Sequence, residues 1–212
     1  MKTVLLTAFE PFGGHASNPS ELVANHLNNH TIEGHRIVGS TLACEFGKSL
    51  HQLKSLLHQF QPSLVICLGL AENRADITPE RIAINEEDAR IPDNAGYQPI
   101  SHPVVPDGPA GYWSTLPIKA IVAALRSRQL PASISYSAGT FVCNHVFYGL
   151  MHELTTHSSK ARAGFIHIPP LRSEPHHLNG LTLDQLTTGI SLAIETSIRN
   201  HQDLRTTEGT IS

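Results

Sequence analysis

Two residues in this chain of 212 have a type and a setting that suit nucleophilic chemistry. Cys143 follows a small-residue turn, Ser137-Ala138-Gly139, and opens a segment in which Val146, Phe147, Leu150, Met151 and Leu154 recur at helical spacing. That spacing predicts a helix with the cysteine at its N-terminus, where unpaired backbone N–H groups and the helix dipole favour an anion. A thiol held there is expected to have a lowered pKa and to attack as a thiolate. His167 interrupts the apolar run Ala163 to Ile168 just before Pro169-Pro170. At the C-terminal end of a strand it would face the crevice where open α/β sheets bind ligands, and where the Cys143 turn also ends. Read for packing alone, Cys143 is a small buried hydrophobe and Cys67, inside an apolar run, a core residue; His167 is equally well a core histidine. A base, an orienting acid and a purpose for the surrounding loops have to decide.

Composition narrows the partners. Hydrophobic residues make up 40%, charged residues 16%, and the net charge is −3. Those are globular values, with no basic footprint for nucleic acid or an anionic membrane. Cys44, Cys67 and Cys143 are odd in number, widely spaced and without a CxxC pair. They point to reduced thiols in a cytoplasm rather than a disulfide framework or a zinc ribbon. The start, Met1 to Pro11, is too short in its apolar run for a signal peptide, and no run reaches the roughly 18 apolar residues of a membrane span.

The elements that must position the two residues alternate. Lys2 to Ala8 reads as a buried strand followed by the loop Phe9-Glu10-Pro11-Phe12-Gly13-Gly14, which lacks the spacing of a phosphate loop. Asn18-Pro19-Ser20-Glu21 starts a helix to about His30. A strand is expected at 35–44, a helix at 46–60 with Phe46 on its inner face, and a strand at 64–69. This order argues for one large α/β domain over 1–212 with a mostly parallel sheet. Residues 70–117 form a polar excursion containing a short strand at 81–85, expected to cover a site or build a subunit interface. A helix at 117–128, a strand at 132–136, the cysteine helix, the strand at 163–168 and a helix at 183–200 complete the chain, with a frayed tail from about 202. Of the fourteen histidines, His26 with His30 is a helical pair lacking a further ligand, and His176-His177 lies in a loop; both read as solvated rather than metal-bound.

Four segments resemble the pyroglutamyl peptidase I family: Thr7 to Gly14 with Asn18-Pro19-Ser20; Glu80 to Asn85 running on through Asp88 to Asn94; Ser137 to His145; and Gly164 to Leu171. They stand in the family's order over roughly residues 1–200. The resemblance implies a three-layer α/β/α sandwich with a mostly parallel twisted sheet. It also implies cysteine-dependent removal of N-terminal pyroglutamate from peptides through a thioester acyl-enzyme, with no metal or cofactor. Its catalytic triad falls on Glu80, Cys143 and His167. The oxyanion donors would be the Cys143 N–H and Arg90. The walls for the flat lactam ring would be Phe9, Phe12, Ile91, Phe141 and Val142, with backbone groups near Leu70 meeting the ring amide. The family is commonly tetrameric, so a homo-oligomer is expected. Glu72-Asn73, where a glycine pair is common, and Ser101, where an acid is usual, depart from the pattern. The alternatives on the same architecture are a catalytically silent binding protein and a nucleoside-phosphorylase-like enzyme.

Overall fold

The structure is a computed structural model and describes residues 1–173 and 180–209; His176-His177 lies outside the described residues. Its elements in order are β1 Lys2–Phe9, α1 Pro19–Leu27, β2 Thr31–Ile32, β3 His35–Leu42, α2 Lys48–Phe60, β4 Leu64–Leu70, β5 Thr78–Pro79, β6 Ile82–Ile84, β7 Gly111–Trp113, α3 Ile118–Ser127, α4 Val142–Thr156, β8 Arg162–Ile168 and α5 Leu183–Arg199. The main sheet runs β2-β3-β1-β4-β8-β5. Its four inner strands are parallel, and only the two-residue edge strands β2 and β5 pair antiparallel.

Strands covered on both faces must be apolar on both, and they are. Val4, Leu6, Leu64, Ile66, Leu68, Ile166 and Ile168 pack with α1, α3 and α5. Leu5, Val65, Cys67, Ala163 and Phe165 pack on the other side with α2 and α4. The result is a helix layer on each side of the sheet. Cys67 is fully buried in the second face.

Four expectations are corrected by local chemistry. Phe46 lies ahead of α2, not in it, because Gly47 adopts φ +69 and breaks the helix there. Residues 132–136 run parallel to 77–81 without forming a strand: isolated bridges join Ile77 to Ala132 and Glu80 to Ser135, and between them Pro79 has no N–H to give. Helix α1 stops at Leu27, three residues early, as the N–H of Asn28 turns to the Asn25 carbonyl. The tail through Gly209 is strapped to α3 instead of frayed. Asp203 accepts the backbone N–H groups of Lys119 and Ala120, and Glu208 pairs with Arg126 and receives the Tyr136 hydroxyl on its carbonyl.

Within the 70–117 excursion, β6 and β7 pair antiparallel and dock on α4. Asn144 serves as a side-chain strand edge for β6, accepting the Ile84 N–H at 3.1 Å and donating to the carbonyls of Ile84 at 2.8 Å and Glu86 at 2.9 Å.

Candidate active site

Cys143 is the second residue of α4, after the extended residue Phe141 at the cap position. A backbone N–H there has no acceptor within its own helix, so the nitrogen of Cys143 is one of the helix's free donors. The sulfur rests against Gly69 near the end of β4: a Cβ built on Gly69 would stand 2.8 Å from Sγ and 2.8 Å from the Phe165 ring. Gly69 is the register partner of His167 on β8. Partners across a ladder point to the same face, as do residues two apart on a strand, so His167 shares its face with Phe165 and with Cys143. Phe165 flanks the imidazole at a centroid distance of 4.8 Å.

His167 Nδ1 meets Glu80 Oε1 at 2.7 Å. Glu80 has no exposed surface, and His167 is 5% exposed. Because Oε1 also accepts from Arg74 at 2.7 Å, the carboxylate acts as acceptor and the imidazole proton belongs on Nδ1. Nε2 is thereby left with its lone pair, the form a general base requires. The excursion thus brings Glu80 to the histidine, through β5 pairing on β8 and through the Glu80 N–H bonding the Phe165 carbonyl at 2.9 Å.

Burial pushes the Cys143 thiol well above the ordinary thiol range; Cys44, Glu80 and Cys67 push the same way, and the Arg74 guanidinium opposes them. This corrects the expectation of a thiol acidified by its helix position alone. Burial of this kind favours the thiol form, so a base beside the sulfur would help it become a nucleophile.

Around the sulfur lie the aromatic residues expected as pocket walls. Phe9 is 2% exposed and Val142 fully buried, both in the core layer beneath. Phe12 and Phe141 are only partly buried, with centroids 6.1 Å apart. Phe46, which the sequence reading assigned to helix packing, stands 5.5 Å from Phe141 edge to face. Leu70 ends β4 beside this group, opposite Ile168. Ile91 is 43% exposed and reaches Gly13 of the first loop. Arg90 is exposed, with no hydrogen bond or ion pair among the described residues. The departing Glu72 pairs with His15 at 2.6 Å, joining the loop after β4 to the loop after β1.

Sequence reasoning missed two features. One is Arg74, which lies unmarked within the polar 70–117 excursion. The other is a second buried pair, Glu87 with His145 at 2.5 Å, two residues past the cysteine. The Gly47 N–H donates to His145 Nε2 at 3.0 Å, which puts the imidazole proton on Nδ1, toward Glu87. No helical or strand period marks such partners; only a charged residue destined for burial signals that one must exist. His26 and His30 are exposed, and the described residues contain no group of three or more residues able to hold a metal ion.

The chain is similar to known proteins over nearly its whole length. The family model "Pyroglutamyl peptidase" matches residues 2–200. The chain is 50% identical to a pyrrolidone-carboxylate peptidase of Bacillus cytotoxicus, over 99% of each chain. It superposes on the crystal structure of pyroglutamyl peptidase I from Bacillus amyloliquefaciens with a TM-score of 0.93 and 44% identity, covering 96% of this chain and 100% of that one. The pyrrolidone carboxyl peptidase from Thermococcus litoralis gives a TM-score of 0.92 at 38% identity, over 98% and 100% of the two chains.

Proposed function

This chain belongs to the pyroglutamyl peptidase family and is a cysteine-type hydrolase that removes N-terminal pyroglutamate, and we propose that Cys143, His167 and Glu80 carry the reaction. The comparisons lend no support to a silent binding protein or a nucleoside-phosphorylase-like enzyme. The observation that carries the assignment is the sulfur lying over Gly69, whose register partner is the histidine tied to a fully buried glutamate.

In this reading His167 Nε2 takes the Cys143 proton, and the thiolate attacks the pyroglutamyl carbonyl carbon. The tetrahedral oxyanion is met by the Cys143 N–H and by Arg90, swung in from the rim. Collapse breaks the C–N bond while the imidazolium protonates the leaving amine, leaving a thioester on Cys143. Water, deprotonated by His167, hydrolyses the thioester and restores the thiol. Glu80 keeps the histidine in one tautomer and balances its charge in each step. The raised resting thiol pKa fits a sulfur that ionises only by handing its proton to His167. No step calls for a metal or cofactor.

Phe9, Phe12, Ile91, Phe141 and Val142 wall the ring site, and backbone groups near Leu70 meet the lactam amide. A free α-amine or an open glutamate carboxylate would lose hydration there without gaining a partner, which selects the cyclised residue. No described helix is long and apolar enough to cross a membrane. A cytoplasmic homo-oligomer, a tetramer by family resemblance, acting on pyroglutamyl peptides with the whole chain as one peptidase domain completes the reading. Hydrolysis of a pyroglutamyl-coumarin amide against its prolyl counterpart tests it. Wild type should cleave only the first, and Cys143→Ser should lose nearly all turnover with an unchanged fold. Cleavage that survives Cys143→Ala would end the assignment.

A further inference from the structure

We infer that Arg74 is a positioning residue for this reaction: it holds Glu80 aimed at His167 and fastens the turn that leads to Cys143. The inference rests on the triad assignment above and adds to it a residue outside the triad.

The guanidinium reaches three groups from three parts of the chain. Nη1 donates to Glu80 Oε1 at 2.7 Å and to the Thr78 hydroxyl at 2.7 Å, and Nη2 donates to the Ser137 carbonyl at 3.0 Å. Thr78 lies on β5, which pairs with β8 opposite His167. Ser137 belongs to the turn before Cys143. One planar cation therefore ties the glutamate, the histidine's neighbouring strand and the nucleophile's turn together, as a fork of fixed donors can and a point charge cannot.

Charge gives the second reason. Glu80 is fully buried, and its other oxygen, Oε2, has no hydrogen-bond partner among the described residues. A carboxylate taken out of water needs a charged or hydrogen-bonding partner to offset its lost hydration. Arg74, with its side chain 31% exposed, supplies the compensating charge while keeping contact with solvent. Cys44, Glu80 and Cys67 are ionisable groups that push the thiol pKa up beside burial, and Arg74 is the cation that opposes them; His167 shares the sulfur's face.

The test is the pH profile of kcat/KM on the pyroglutamyl-coumarin amide for wild type, Arg74→Gln and Arg74→Lys. Losing a cation raises the pKa of every acid beside it, so the acid limb of Arg74→Gln should move to higher pH, and kcat/KM at neutral pH should fall roughly tenfold or more. Arg74→Lys should keep the limb near wild type while losing rate through the broken link to Ser137. A merely structural role would lower rate or melting temperature without moving the limb. If folded Arg74→Gln keeps the wild-type acid limb, or Arg74→Lys moves it equally, the inference is wrong; Arg74→Met serves if the glutamine variant does not fold. Failure of wild type to cleave the substrate would instead strike the function itself.

Discussion

The missing Cβ of Gly69 is the space that Cys143 Sγ occupies: a methyl group there would lie 2.8 Å from the sulfur. The backbone of β4 is thus the floor on which the sulfur rests, one strand away from His167. Gly69→Ala should force the sulfur or the Phe165 ring aside. We expect it to destabilise the protein by about 1–3 kcal/mol, as overpacking does, and to lower kcat/KM on the order of a hundredfold through misplacement of the nucleophile. Urea unfolding and steady-state kinetics on one preparation check both; wild-type kinetics would contradict the stated contact.

The Glu87–His145 pair should matter for stability. Both residues are buried, at 7% and 4% exposure, and Glu87→Ala would leave the His145 Nδ1–H without an acceptor. The cost should be about 1–3 kcal/mol, read as a lower urea midpoint with an unchanged slope. A midpoint equal to wild type would mean that solvent reaches the imidazole freely.

Stability should fall at alkaline pH. Burial pushes the Cys67 thiol from 9.0 up to about 12. Between those values the unfolded chain has lost this proton and the native chain retains it, so the unfolded state binds fewer protons and unfolding becomes easier as pH rises. Below that window the contribution is fully present. The single group should remove about 1.4 kcal/mol per pH unit across it. Under reducing conditions, unfolding free energies at pH 8, 9 and 10 should drop more steeply for wild type than for Cys67→Ala; equal slopes would argue against a buried neutral thiol.

The tail strap caps α3. Its cap residue, Pro117, offers no side-chain acceptor, and Asp203 supplies one from far along the chain. Asp203→Ala should cost about 1 kcal/mol. Because α3 packs on the face of the sheet opposite to the one that carries Cys143, kcat/KM should stay at the wild-type value. A loss of activity larger than the loss of stability would tie the strap to the site.

Much of the site was legible one residue at a time. Cys143 stands out by the small-residue turn and the apolar period that follows it, and His167 by the break it makes in a strand stopped by two prolines, yet both patterns also fit core residues. Glu80 needed the family resemblance, because nothing in the pattern of a polar excursion says which of its acids is buried. Arg74, Asn144 and His145 escaped notice because their partners come from other segments: Glu80 and Ser137 for the first, β6 for the second, Glu87 and Gly47 for the third. The start of α2 and the 132–136 segment depart from the sequence pattern where a glycine or a proline alters one hydrogen bond.

By itself the order of residues determined the alternation of strands and helices and the two-sided burial of the inner strands. These follow from hydrophobic period and from turn chemistry, which act over a few neighbours. Only the tertiary structure decided that Gly69 brings sulfur and imidazole to one face, that Glu80 is buried against Arg74, and that burial pushes the Cys143 thiol pKa up. Those are matters of desolvation and of distance between segments remote in the chain, and a local pattern carries no information about either.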